Sequence, residues 1–174
     1  MTEYRVGIVN PNTPFSLRVR ELLAGGHIPV KELKLYSYGT DEGSALTEFH
    51  DEVLVTQVLD ADLLPNLDLC FFSSNDSDIL NRIASEAAEK GVVSIVDSAV
   101  DLEAPLLLQG LTIKEPFQFP LFVVPRMASF LLGTIMKRLN TVTCIEQTIA
   151  TVLLPAVERG EAGAEELHKQ VVVF

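Results

Sequence analysis

The sequence predicts an α/β protein: a parallel β-sheet with helices on both faces. Three observations carry that expectation. Tyr4–Val9, Asp68–Ser73 and Val92–Val96 are short apolar runs of the kind that form strands buried on both sides. Between them lie stretches of helical periodicity; Ile79, Leu80, Ile83, Ala84 and Ala87 fall on one helical face. The chain has 174 residues, 48% of them hydrophobic, enough for one main domain with a sizeable core.

The elements follow in order. Tyr4–Val9 ends at Asn10-Pro11. Thr13 precedes Pro14, which suits an N-cap with proline at the first helical position. Leu17, Leu22 and Leu23 are expected to supply the apolar face of that helix, and Gly25-Gly26 to stop it. Leu33–Ser37 reads as the second strand, Tyr38–Asp51 as a polar loop and Glu52–Val58 as a further strand. After Asp68–Ser73, the residues Asn75, Asp76 and Ser77 offer caps for a helix over Asp78–Lys90, closed by Gly91. Pro120–Pro125 is strand-like. Strands alternating with helices imply right-handed crossovers. A strand–turn–helix at the N-terminus makes the expected sheet Rossmann-like.

The chain divides in expectation into a Rossmann-like domain over 1–126 and a C-terminal segment over 127–174. In that segment, Met127–Leu139 reads as a helix. Thr141–Leu154, rich in Thr, Val and Ile, reads as a long strand. Glu158–Gln170 reads as an exposed amphipathic helix.

Composition excludes several classes. A net charge of −11 opposes binding to nucleic acid or to anionic membrane surfaces. No apolar run approaches the ~20 residues of a membrane span, and the start lacks a secretory pattern, so a cytoplasmic location is expected. Cys70 and Cys144 sit in apolar runs and are expected to be buried thiols. With His27, His50 and His168 scattered, no metal-ligand spacing appears, and each histidine is expected to be an ordinary surface residue.

An ordered series of segments resembles the aspartate-semialdehyde dehydrogenase family. It comprises Arg5-Val-Gly-Ile-Val9, the stretch His27 to Ser37, Asp68-Leu-Cys-Phe-Phe-Ser73, Gly91 to Ser98, Pro120-Leu-Phe-Val-Val-Pro125 and Glu158 to Leu167. The series runs through nearly the whole chain, which stops at about half the family's usual length. The resemblance implies a Rossmann-type fold, NAD(P), and a second domain that dimerises.

The departures from the family bear on function. Its first turn follows Gly-Ala-Thr-Gly-x-x-Gly, where glycines let the backbone approach a diphosphate. Here the stretch is Asn10-Pro-Asn-Thr-Pro-Phe-Ser16. Asn10 tolerates a left-handed conformation. Thr13 would crowd phosphates, and Pro14 lacks an N–H to offer them. After the second strand, Ser37 and Thr40 carry hydroxyls for a 2′-phosphate, while Asp41 and Glu42 would repel one. The family's cysteine nucleophile follows its Val-Pro segment. The matching stretch here, Arg126-Met-Ala-Ser-Phe130, holds Ser129 and no cysteine. The family's histidine and arginine lie downstream of residue 174.

Three expectations result. The first is a non-catalytic relative with no catalytic residue and no metal. Any cofactor contact would come from Asn10, Asn12, Thr13, Ser16, Ser37, Ser73, Ser74 and Asn75. It would pair as a homodimer through Thr141–Leu154 to protect that strand's edge. The second is an NAD(P)-dependent semialdehyde dehydrogenase, or a fragment of one. The third is a module that holds another small ligand at the strand ends, where Ser73 to Ser77 and Asp97-Ser98 stand.

Overall fold

A computed structural model describes residues 2–38, 46–49, 52–73, 78–97, 102–107, 120–153 and 160–172. The chain forms two compact units, Met1–Arg126 and Met127–Phe174.

In the first unit a parallel six-stranded sheet runs in the order β5-β2-β1-β6-β7-β8. Its strands are β1 (Tyr4–Val9), β2 (Val30–Ser37), β5 (Gln57–Val58), β6 (Leu69–Ser73), β7 (Val93–Asp97) and β8 (Leu121–Val124). The pleat sends alternate residues to opposite faces. Val6, Ile8, Leu33, Leu35 and Phe71 pack on one face with Val19 and Leu23 of helix α1 (Pro14–Ala24). Val9, Tyr36, Cys70, Phe72 and Val96 pack on the other with Leu80, Ala84 and Ala87 of helix α2 (Asp78–Glu89). Both faces are covered, so the central strands β1 and β6 are apolar along most of their length rather than alternating.

The central strand contains Gly7 for a steric reason. A Cβ there would lie 2.5 Å from Leu67 Cδ1 and 3.1 Å from Cys70 Sγ. The absent side chain lets Leu67 lie against the sheet. At the N-terminal ends of β1 and β6, Arg5 and Asp68 are paired by both backbone and side chain. Arg5 N–H and Nε donate to Asp68 Oδ2 at 2.8 and 3.2 Å, and Nη2 reaches Oδ1 at 3.0 Å.

The structure corrects several expectations. Glu52–Val58 is not one strand. It breaks at Thr56 into β4 (Glu52–Val55) and β5, which belong to different sheets. β4 forms an antiparallel hairpin with β3 (Leu46–Phe49), inside the stretch expected to be loop. The hairpin sets Phe49 and Leu54 on the α1 face, where they pack beside the first core cluster. On α1, Leu17 and Leu22 are exposed; the buried face is Ser16, Val19 and Leu23. Thr13 is the N-cap, Gly25 the C-cap, and Gly26 and Gly91 adopt positive φ, as the sequence led one to expect. The expected caps Asn75, Asp76 and Ser77 lie outside the described residues.

Both sheet edges are short. β5 meets β2 over two residue pairs. Beyond β8, Leu107 N–H donates to Val123 O at 2.8 Å, and Val123 N–H to Pro105 O at 3.0 Å.

The second unit holds helices α3 (Met127–Asn140) and α4 (Gly160–Val172). Thr141–Leu154 is not a strand over its described part, 141–153. Its first residues finish α3 instead: Val142 and Thr143 N–H both donate to Leu139 O at 2.9 Å. The remainder has no ladder neighbour among the described residues, and a strand exists only when paired. For the same reason Cys144 is exposed, not buried. No helix among the described residues is long and apolar enough to cross a membrane.

Candidate functional site

In an open parallel sheet, ligands bind beyond the C-terminal strand ends where the strand order reverses. That point lies here between β1 and β6, since β2 continues on one side of β1 and β6 on the other. The residue that leaves β1 is Asn10. Its φ of 58° is left-handed, a conformation that asparagine tolerates better than most side chains. Its backbone N–H donates to Tyr36 O at 2.7 Å. Its side chain spans the reversal point. Nδ2 donates to Ser73 O at the end of β6 at 2.9 Å, and Oδ1 accepts from Tyr38 N–H beyond β2 at 3.0 Å.

The turn then enters α1. A helix start ordinarily offers unpaired N–H groups to an anion. At the first helical position Pro14 has none. The Ser16 N–H is taken by Thr13 Oγ1 at 3.3 Å, and Leu17 N–H by Thr13 O at 2.9 Å. Thr13 Oγ1 also lies 3.0 Å from Ser16 Oγ. Among the described residues, Phe15 N–H is what this first turn leaves to an outside acceptor.

The remaining expected site residues divide. Asn12 is exposed. Ser16 and Ser73 are completely buried, and Ser37 nearly so, its Oγ 3.5 Å from Gln57 O. Ser73 Oγ has no hydrogen-bond partner among the described residues. Asp97 stands in register beside Ser73 at the end of β7. Ser74, Asn75 and Ser98 lie outside the described residues, as do Thr40, Asp41 and Glu42. The structure thus joins Asn10 to Ser73 and Thr13 to Ser16. What sequence reasoning missed is Tyr38, whose backbone amide completes the tie.

Cys70 is the second residue of β6, at the opposite end of the strand, and burial pushes its thiol well above the ordinary range. Burial also pushes the Tyr36 hydroxyl up to about 12, and among the described residues that hydroxyl has no hydrogen-bond partner. His27 and His168 are exposed; His50 lies outside the described residues. Ser129 is exposed in the first turn of α3. Among the described residues no group of three or more His, Cys, Asp or Glu could hold a metal ion.

Comparison with solved structures places this architecture. Aspartate semialdehyde dehydrogenase II from Vibrio cholerae superposes with a TM-score of 0.79 at 22% identity, over 97% of this chain and 52% of that one. The fold is that of the aspartate-semialdehyde dehydrogenases. The same Vibrio enzyme complexed with ASA gives 0.79 and 22% over 98% of this chain. A probable aspartate-semialdehyde dehydrogenase from Pseudomonas aeruginosa gives 0.74 and 18% over 97%. The chain spans 52% of the length of each of these dehydrogenase chains. No protein-family model and no curated protein matches it.

The NAD(P) implied by the sequence resemblance does not fit this version of the dehydrogenase fold. A diphosphate at the reversal point needs backbone amides and room. Here the Asn10 carboxamide lies across that point, and the Thr13–Pro14 cap leaves Phe15 N–H as the first turn's free donor among the described residues.

Proposed function

We propose that this chain is a non-catalytic protein on the aspartate-semialdehyde dehydrogenase fold, one that takes no dinucleotide at its strand ends. The observation that carries the reading is the β1–α1 turn. Two of its side chains are spent within the chain, Asn10 on Ser73 and Tyr38 and Thr13 on Ser16, which leaves Phe15 N–H as the free amide of the first helical turn among the described residues. Cys70 and Ser129 support it, and the exposed Cys144 lies outside the stretch where the resemblance sets the nucleophile. Covalent dehydrogenase chemistry needs a thiolate beside the substrate, yet Cys70 lies buried at the far end of β6 and Ser129 occupies the stretch where the resemblance sets the nucleophile.

The working assembly in this reading is a homodimer through Thr141–Leu154. Val142, Ile149 and Leu153 are 86%, 87% and 94% exposed, and the β-branched segment around them has no ladder partner among the described residues. The same segment of a second copy would supply one.

A fluorescence titration with NADPH, coupled to a dehydrogenase assay on aspartate semialdehyde, tests the reading. The expected result is no saturable binding and no turnover. The competing reading is an NAD(P)-dependent semialdehyde dehydrogenase, which the fold likeness to such enzymes favours; binding together with turnover would establish it. Sedimentation of the full chain tests the assembly, and a monomer at micromolar concentration would end it.

A further inference from the structure

The Asn10 side chain does more than leave a ligand out. Three parallel strands end side by side, β2, β1 and β6. The backbone groups just past those ends are no longer paired by the sheet itself. In a nucleotide-binding version of such a sheet, an outside molecule sits there and bonds to them. Here a single carboxamide does so from within. It has one donor arm and one acceptor arm in use, toward Ser73 O and Tyr38 N–H, 63 and 28 residues away in sequence. Its own backbone N–H is fixed on Tyr36 O, and its O accepts from Thr13 N–H at 3.4 Å and Thr13 Oγ1 at 3.3 Å. Main chain and side chain therefore hold the group in one place. From its left-handed backbone the side chain reaches both strand ends.

We infer that the Asn10 carboxamide is a self-supplied ligand: it ties the ends of β2 and β6 together across β1 and closes, from inside the chain, the crevice this strand order would open. The inference deepens the non-catalytic reading and rests on it for the claim of closure. The tie itself is a separate, measurable fact. A short polar side chain with both a donor and an acceptor is needed. Glycine would keep the turn but lose both arms, and aspartate would keep the acceptor and lose the donor.

Hydrogen exchange on the native chain and on Asn10→Gly tests the tie. The Tyr38 amide is expected to exchange about tenfold faster in the variant while the β1 amides keep their protection. Equal Tyr38 protection in both chains overturns the tie. Asn10→Asp serves if Asn10→Gly does not fold. It is expected to keep Tyr38 protected and to melt at a lower temperature than the native chain; an unchanged Tm overturns the donor arm to Ser73.

Thermal shift with inorganic pyrophosphate tests the closure. The native chain is expected to show no saturable rise in Tm. Asn10→Gly/Thr13→Gly, which opens the crevice and frees the Ser16 N–H, is expected to gain one. A rise in the native chain, or none in the double variant, overturns closure by Asn10. Failure of the two readings is distinguishable. NADPH turnover by the native chain defeats the non-catalytic reading whatever Tyr38 does. An unaltered Tyr38 amide defeats the tie even where no turnover is found.

Discussion

The strand ends around Asn10 and the segment after α3 pose one problem and meet it in opposite ways. Both present backbone groups that a ladder does not satisfy. At β1 a side chain from the turn itself reaches both neighbouring strand ends. Over 144–153 the chain holds β-branched residues in quantity but no ladder neighbour among the described residues, and its Ile149 and Leu153 side chains stand in water. A group satisfied from within commits the fold to one state. A group left unsatisfied makes the state depend on something outside. The first unit is therefore expected to be rigid and indifferent to its surroundings, and the second responsive to them.

The largest test of that contrast compares matched truncations. Phe72→Ala, in the completely buried cluster of the first unit, is expected to cost about 3–5 kcal/mol in denaturant unfolding. Leu131→Ala, on the exposed face of α3, is expected to cost less than about 0.5 kcal/mol. A comparable loss at Leu131 would show that its face is covered in solution, and the contrast would fail. A smaller effect sharpens the rigidity of the first unit. Gly7→Ala places a methyl against Leu67 and Cys70 and is expected to cost about 1–3 kcal/mol; no loss in Tm would mean that the Leu67 contact yields freely.

Much of the fold was legible because its cues are local. Thr13-Pro14 marks a helix start within two residues, and Gly25-Gly26 marks its end. The misreadings share a cause, since each depended on what a segment packs or pairs with rather than on its own residues. The phase of α1 is set by which residues meet Phe71 and the sheet, so Ser16, Val19 and Leu23 turn inward while the larger Leu17 and Leu22 do not. Thr56 divides two strands because β4 pairs with β3 and β5 with β2, and the local propensity of Glu52–Val58 carries no trace of that. Thr141–Leu154 has strand propensity, which says how well a segment would pair but not that a neighbour exists. The candidate site was half legible. Asn10 as a left-handed turn residue follows from its type; its hold on Ser73 and Tyr38 does not.

The smallest expected effect is in acid, and it bears on the opposite end of the same strands. Hydrogen bonds from the Arg5 side chain and backbone hold the Asp68 carboxyl down to about 2, against 3.8 ordinarily. A depressed carboxylate adds stability above its unfolded value and loses it as pH falls through its folded one. The contribution of Asp68 is thus present above about pH 4 and vanishes toward pH 2. Because the pair is partly exposed, the effect is modest and weakens with salt. Asp68→Asn is expected to flatten that part of the unfolding profile, and an unchanged slope between pH 4 and 2 would assign acid sensitivity elsewhere.

The margins of the six-stranded sheet carry a last consequence. One outer strand is only two residues long, and the other has residues 105–107 bonded along its free side. An incoming polypeptide finds no lengthy row of vacant amides there on which to extend the sheet. Along these two margins a second copy of the sheet has little to grip.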